Sequence, residues 1–407
     1  MGQAKLHALG RNLKYFVTPE ATLGTYVDLG APGSSTTKGM RVLSSSMEYA
    51  QERVDRADAR GDTRSLSERI TRRVNCTYSV ESYLLPSGTP GTEPDADLLY
   101  KAVMGARSSG SVTVGTVTGS GIKYSLSATQ AMPSVCLTRE TGGVVQQRMR
   151  GCYVGEMAIS GSGGDEPKVS FSGTGIDMWN IGRSTTTNAG SSATTIEVGS
   201  GASALRNSRM FGTPSASFPI QVDVGADSPV SVTGVSSVNG DITLASALTW
   251  EIGDIVKPYS PALGDAGVPI NGVSGSVTVE DTISAMPITA FDITVNNNTK
   301  ALNDEAFTNL MTDFIPGFRS VTGNITVRAN QDQIVELNRR KLFGVRDIQM
   351  ILGSTSPAGS YAVINMPKCE FGFGALEIPE AEEATFTLSF TALQDSTGED
   401  EIVLGFF

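Results

Sequence analysis

An internal repetition of short, strand-like segments is the feature that most constrains this chain. Residues 152–158 read CYVGEMA and residues 369–375 read CEFGFGA, so cysteine, glycine and alanine recur at the same spacing. Each segment precedes an acidic, turn-rich connection and then a stretch of alternating apolar and small residues, at 168–174 and 385–391. Alternation with a period of two is typical of a strand buried on one face. The repetition predicts two copies of one β-rich unit.

The repetition extends upstream of these segments. A glycine follows each of two helix-like stretches, as expected for a left-handed helix cap. The matched pairs are 44–49 with 291–296, 75–79 with 324–328, the helical stretches 96–104 with 334–343, and the strands 122–128 with 348–352. Their shared order supports a duplication more than any single match does.

The two copies differ in their long connections. Residues 55–69 are dense in Arg, Asp and Glu, which is typical of a solvated arm or a docking loop. Residues 303–314 carry apolar side chains at helical spacing after Asn303, a good N-cap, so a helix is predicted there.

A third unit is predicted between the copies. It opens with a Ser/Thr/Gly/Asn run at 184–192 that is typical of a linker. Asn239-Gly240 indicates a β-hairpin. Short strands are predicted at 195–198, 220–224, 230–235, 241–244 and 254–258. The chain therefore divides into a first unit at 1–182, an inserted small β domain at 183–261 and a second unit at 262–407.

Composition agrees with a mainly β protein and limits its partners. The chain has 407 residues, 45 of them Gly, and a formal net charge of -11. Gly-rich, hydroxyl-rich sequences suit short strands and tight turns. An acidic chain disfavours sequence-specific DNA binding, because phosphates are repelled. We expect no signal peptide and no membrane span. The scattered Cys76, Cys136, Cys152 and Cys369 are expected to be reduced and packed.

No motif predicts a catalytic, cofactor or metal site. The only histidine is His7, in a predicted N-terminal arm. Asp95 and Asp97 are possible metal ligands, but carboxylates are also favoured in the first turn of a helix. The glycine clusters 119–121 and 161–164 lack the residues of a phosphate loop and are interpreted as hairpin turns.

Small polar side chains on the strand faces that point away from the core indicate a possible function for this surface. Such a face suits bulk water or the wall of a water-filled bore, where a polyanion must pass without being held. The predicted bore-facing residues are Asn75, Thr77, Ser79, Glu81, Ser170, Ser172, Thr174, Asp292, Thr294, Asn324, Thr326, Thr385, Thr387 and Ser389. Joining such sheets edge to edge in a ring would also remove their open edges.

The chain resembles the tail tube proteins of long-tailed bacteriophages. The likeness lies in residues 61–85, 288–297, 317–327, 364–369 and 386–393, and residues 242–256 resemble a β-barrel inserted in some of these proteins. The family fold implies two tandem β-sandwich domains, each with a flanking helix, plus an inserted small β-barrel or Ig-like domain. The predicted inter-ring loop comprises Asp55, Arg56, Asp58, Arg60, Asp62, Arg64 and Glu68.

The resemblance implies a structural virion protein, not an enzyme. Double-domain members form trimeric rings with pseudo-sixfold symmetry, so a homotrimer is favoured over a hexamer of chains. Implied partners are further copies of the chain, the tape measure, terminator and distal tail proteins, and passing DNA, with no cofactor. Assembly is expected in the host cytoplasm.

Two other classes of function remain open from the sequence. The inserted unit and its Ser/Thr-rich start also fit a surface-binding fibre, adhesin or decoration protein. A hydrolase with paired carboxylates is the third hypothesis, although nothing singles out a pair.

Overall fold

The structure is a computed structural model. It describes residues 12–27, 29, 38–55, 69–127, 132–199, 220–224, 229–236, 238–264, 267, 269–279, 288–302, 310–328, 345–372, 376–377, 384–394 and 400–407. Within these residues the chain is mainly β, with strands β1 to β26 and one helix, α1. The predicted fold class is therefore confirmed at the level of a β-rich protein.

Eight antiparallel strands form a continuous part of an 18-stranded sheet, and we call this part the central sheet. Its fourth and fifth strands pair with each other, and this contact joins sequence-distant halves of the chain. In spatial order the strands are β3 (Ser44–Asp55), β4 (Arg69–Tyr83), β9 (Lys168–Gly175), β8 (Val145–Ser162), β18 (Ile288–Asn296), β21 (Ser320–Arg328), β25 (Thr385–Ala392) and β23 (Ala362–Phe371). The short strand β24 (Leu376–Glu377) also pairs with β25, beyond the end of β23.

Two further strand sets cover the apolar face of the central sheet. The first comprises β2 (Lys38–Met40), β1 (Leu13–Pro19), β7 (Val135–Thr141), the N-terminal part of β8, and β10 (Asp177–Ile181). The second comprises β17 (Gly275–Val279), β22 (Val345–Leu352), the N-terminal part of β23, β26 (Val403–Phe406), β6 (Val117–Leu126) and β5 (Gly105–Val114). Most buried residues of these strands belong to one hydrophobic core, whereas Val112 and Val114 on β5 pack in a separate, smaller cluster.

Helix α1 (Asp97–Met104) fills the core where the two sets meet. Leu99, Val103 and Met104 on α1 are fully buried. Gly105 ends the helix with a φ of 92°, the left-handed conformation that favours glycine. The helix predicted at 96–104 is therefore present, whereas its predicted partner at 334–343 lies outside the described residues.

Residue pairing repeats between the two halves of the central sheet. In the first half Tyr153 pairs with Thr174, and in the second half Glu370 pairs with Thr391. Each residue of the second pair is 217 positions after its counterpart in the first pair. Even an irregularity recurs, since β7–β8 has a register shift between Val135 and Leu137, and β22–β23 has one between Arg346 and Ile348. We call β3, β4, β9 and β8 the first strand group, and β18, β21, β25 and β23 the second.

Three of the sequence matches were placed wrongly. Residue 44 corresponds to residue 290, not 291, because Tyr49 pairs with Cys76 as Val295 pairs with Val321. Cys76 pairs with Gly175 and Val321 pairs with Ala392, so the counterpart of residue 75 is 320, not 324. A shift of four residues keeps every side chain on its face, so alternation alone cannot detect it. The counterpart of 348–352 is β7, not 122–128. Strand β6 instead pairs with β26 and extends the second outer set.

The region predicted as an insertion forms a separate six-stranded sheet. Its strands in spatial order are β11 (Ser184–Thr185), β16 (Ile255–Pro258), β13 (Gln221–Val224), β14 (Val230–Val235), β15 (Ile242–Trp250) and β12 (Gly190–Ile196). The linker predicted at 184–192 is wrong, because β11 and β12 begin there. Gly190 pairs with Trp250, whose indole occupies the space a side chain would need.

The helix predicted over 303–314 is contradicted at its C-terminal end. Residues 303–309 lie outside the described chain, but β20 (Asp313–Ile315) pairs with β19 (Lys300–Leu302). Phe314 stacks on Tyr153 with ring centroids 4.6 Å apart, so tertiary packing overrides the helical spacing.

One of the two glycine clusters also departs from its prediction. Gly163 and Gly164 do form a turn, with φ values of 60° and 90°. Gly119–Gly121 instead lie inside β6, where a Cβ on Gly121 would approach the Phe406 carbonyl oxygen to 2.5 Å. Close strand packing, not a turn, explains glycine there.

Candidate functional site

The polar face of the central sheet gathers the predicted bore-facing residues. None of their side chains is buried, while the residues between them on β4, such as Cys76, Tyr78 and Val80, are in the core. The pairs that lie opposite one another are Glu81–Ser170, Ser79–Ser172, Thr77–Thr174, Asp292–Asn324, Asn324–Ser389 and Thr326–Thr387. Thr294 and Thr385 occupy the same face. Period-two alternation therefore placed these residues on one face of the sheet, and a bore lined by that face stays a prediction.

The sequence reasoning missed the strands that complete this face. On β8, Glu156 lies opposite Ser172 and Ser160 lies opposite Asp292. On β3, Ser46 lies opposite Ser79 and Glu48 opposite Thr77. The alternation of residues 156–162 was a usable signal. Its apolar positions are Met157 and Ile159, both buried.

Hydrogen bonds and charge define the chemistry of the face. Asn324 Nδ2 donates to the Asp292 carboxylate at 3.1 Å, and Asn296 Nδ2 donates to Glu156 Oε2 at 3.0 Å. Among the described residues of this face, five carboxylates outnumber two bases, so this part of the surface does not attract a polyanion. The acids are Glu48, Glu81, Glu156, Asp292 and Glu370, and the bases are Lys168 and Arg328.

Each strand group ends in an edge, and the two internal edges already pair with each other. Strand β8 of the first group joins β18 of the second over seven residue pairs, from Ala290–Ser162 to Asn296–Glu156. We call this contact the internal junction. At the two outer ends, β3 pairs with β4 alone and β24 with β25 alone, among the strands that the structure describes. Strand β3 corresponds to β18, and β23 with β24 corresponds to β8. The two edges that correspond to the internal junction are therefore unpaired among the described strands.

The open edge of β3 has an exposed aromatic side chain where its counterpart is buried. Tyr49 pairs with Cys76 as Val295 pairs with Val321, so the two occupy equivalent positions. Val295 is 0% exposed, and Tyr49 is 45% exposed. The second group packs against its neighbour at this position, whereas no described strand pairs with β3 on its outer side.

A hairpin arm extends beyond the central sheet next to this edge. Pairing of β4 with β9 ends at Cys76, but β3 and β4 continue to pair as far as Asp55 and Arg69. Ion pairs link Arg69 to Asp55 at 2.8 Å and Arg72 to Glu52 at 3.1 Å. The arm spans about 20 Å at the usual rise per strand residue. Asp55 lies at its described end. The other predicted loop residues, Arg56, Asp58, Arg60, Asp62, Arg64 and Glu68, lie outside the described residues.

The carboxylates considered as metal ligands have structural partners. Asp97 is 1% exposed. It accepts hydrogen bonds from the Tyr124 hydroxyl at 2.6 Å and from Arg107 Nη1 at 2.8 Å. Burial raises the pKa of Asp95. Within the described residues, no three His, Cys, Asp or Glu side chains are grouped to hold a metal ion. His7 lies outside them.

The cysteines are buried thiols and not reactive ones. All four are free and buried. Burial raises the pKa of Cys76, Cys136 and Cys369 to about 12, and it raises the pKa of Cys152 well above its ordinary value. A neutral, inaccessible thiol is a poor nucleophile.

No protein-family model matches the chain, and no curated protein matches it. In the part of the chain that the structure describes, no helix is both long and apolar enough to cross a membrane.

Proposed function

We propose that this chain is the subunit of a self-assembling tube, built from rings whose bore is lined by the polar face of the central sheet. The resemblance to tail tube proteins makes the tube a phage tail and its role the delivery of the genome. Its partners are then other copies of the chain and the tape measure, terminator and distal tail proteins. The protein would reside in the virion after assembly in the host cytoplasm.

The observation that carries this proposal is the internal junction. Within one chain, two similarly built strand groups are already joined edge to edge. The equivalent edges at the two outer ends of the central sheet have no partner among the described strands. A contact between different surfaces, repeated with the same rotation, generates a ring if the rotation closes. Exposure of Tyr49 at the position of the buried Val295 supports the same contact between chains.

The chemistry of the polar face supports a conduit. Hydroxyl and amide groups keep the wall hydrated, and the excess of carboxylates repels phosphates weakly without trapping them. The finer architecture proposed here is two tandem β-sandwich domains, with the six-stranded sheet as a domain inserted on the outside.

Three chains per ring fit the strand count best. Each chain supplies eight strands to the central sheet, so a trimer closes a barrel of about twenty-four, wide enough for an open channel. A hexamer of chains would form a far wider barrel and is the alternative.

The direct experiment combines imaging with a substitution at the open edge. Purified protein is expected to form rings or hollow tubes in negative-stain images. Tyr49→Asp places a charge where burial is required, so rings should be lost while the circular dichroism spectrum is unchanged.

Val238→Asp is the matched control, because Val238 is 83% exposed in the six-stranded sheet region, far along the chain from either edge. This variant should assemble normally. Parent protein that stays monomeric at high concentration under every condition would refute the proposal.

The alternative of a surface-binding fibre or decoration protein rests on residues 183–261. Deleting them is an imperfect test, because the core of the six-stranded sheet includes Tyr26, Cys136 and Ile181 from the first unit. Gln146, which is buried beside Arg148, also donates to the Tyr259 carbonyl at 3.0 Å. Substitution of exposed residues such as Val238 separates surface binding from folding more cleanly.

A further inference from the structure

The internal junction has a fixed register that can be read from its hydrogen bonds. The Asn297 amide donates to the Gly155 carbonyl at 2.9 Å, and the Gly163 amide donates to the Thr289 carbonyl at 2.8 Å. In an antiparallel ladder, hydrogen-bonded and non-hydrogen-bonded pairs alternate. Asp292 and Ser160, which lie opposite each other between these contacts, therefore form a non-hydrogen-bonded pair with close side chains.

The repeat identifies the counterparts of both junction residues on the open edges. Glu377 pairs with Thr385 as Ser160 pairs with Lys168, so Glu377 takes the place of Ser160. Ser46 pairs with Ser79 as Asp292 pairs with Asn324, so Ser46 takes the place of Asp292.

The same mapping continues along both edges. Gln51 lies five residues after Ser46, as Asn297 lies five after Asp292. Gly372 lies five before Glu377, as Gly155 lies five before Ser160. The Gly372 amide donates to the Ser389 carbonyl at 2.8 Å, away from the open edge.

We infer that β3 of one chain pairs with the outer edge of β23–β24 in a second copy, with Ser46 opposite Glu377. This inference rests on the proposed ring assembly and specifies its contact. The Gln51 amide donates to the Gly372 carbonyl of the second copy, as Asn297 donates to Gly155 within the chain. Tyr49 becomes buried at the same time.

Charge and existing contacts exclude the neighbouring registers. A slip by two residues in one direction would put Glu48 opposite Glu377, and like charges directly opposite are destabilising. A slip by one residue would align the polar face of β3 with the apolar, core-facing side of the second copy. Arg139 Nη1 already donates to the Ser45 carbonyl at 2.7 Å, so the open part of the edge begins at Ser46.

Disulfide trapping tests the register directly. A non-hydrogen-bonded pair places its Cα atoms about 4.5 Å apart, within the range that a disulfide spans. The double variant Ser46→Cys/Glu377→Cys should form covalent oligomers on mild oxidation of assembled rings. The register controls Ser44→Cys/Glu377→Cys and Glu48→Cys/Glu377→Cys should do so at least tenfold more slowly. The native cysteines are buried and should not interfere.

Mixing the single variants keeps the test independent of any folding defect in the double variant. Ser46→Cys chains mixed with Glu377→Cys chains should yield a covalent dimer, and neither alone should. Rings that form but cross-link fastest through residue 44 or 48, or through neither position, would overturn the register and leave the proposed tube standing. Parent protein that forms no rings would overturn both.

Discussion

Asn297 is a buried polar residue at the internal junction, and its partners come from both halves of the chain. Its Nδ2 donates to the Val103 carbonyl at 3.0 Å, and its Oδ1 accepts from Arg319 Nε at 3.0 Å. The residue is 1% exposed. Asn297 therefore couples α1 to the loop before β21 and orients the edge of the second strand group.

Replacing Asn297 by Leu should cost about 2–3 kcal/mol of folding free energy, because a buried carbonyl and a guanidinium each lose a partner. Urea denaturation measures the change. Asn75→Leu, an exposed asparagine on the polar face, should change stability by less than about 0.5 kcal/mol. Equal effects at the two positions would show that the Asn297 contacts add little.

Residue patterns predicted the polar face well because burial imposes a strict period of two on a half-buried strand. The same patterns could not fix which residues of the two halves correspond. A shift of four leaves Asn75 and Asn324 on the correct face, and only the pairing of Cys76 with Gly175 and Val321 with Ala392 reveals it. The face on which a side chain lies can be predicted from its neighbours in the strand. The register of pairing depends on a partner strand that is far away in the sequence.

Among the elements, the hairpin arm differs most between the two strand groups. In the first group, β3 and β4 extend past the sheet, with mostly exposed side chains on both strands. In the second group, the connection after Asn296 folds back, and Phe314 stacks on Tyr153. The arm contributes little to the core and could contact a neighbouring ring in the proposed tube.

Shortening the arm should therefore uncouple ring formation from stacking. Replacing residues 53–72 by Asn-Gly joins Glu52 to Arg73 through a tight hairpin turn. Single rings are expected to persist, and long tubes should be lost in electron micrographs. Thermal unfolding should shift by no more than a few degrees, since few buried contacts are removed. Normal tubes from this variant would exclude the arm as the stacking contact.

Element prediction failed where tertiary contacts outweighed local preference. The apolar spacing of 303–314 favours a helix, but Asp313–Ile315 pairs with Lys300–Leu302. The Ser/Thr-rich run at 184–192 looks like a linker, yet Trp250 packs over Gly190 and a strand begins there. Neither partner could be identified from the segment itself.

At the scale of the whole molecule, each chain would supply one third of the closed sheet in the proposed trimeric ring. The internal junction sets the angle between successive strand groups, and the two open edges allow that angle to be repeated by other copies. A sheet that closes on itself has no open edge left to aggregate. Assembly and protection of the edges are then the same event.

The rotational symmetry of the assembled ring tests this account most directly. Image averaging of end-on views, or cryo-electron microscopy of tubes, should give threefold symmetry with six similar strand groups around the bore and the face of Ser172, Asp292 and Asn324 turned inward. A ring in which the central sheets of neighbouring chains do not join, or in which that polar face points away from the bore, would contradict it.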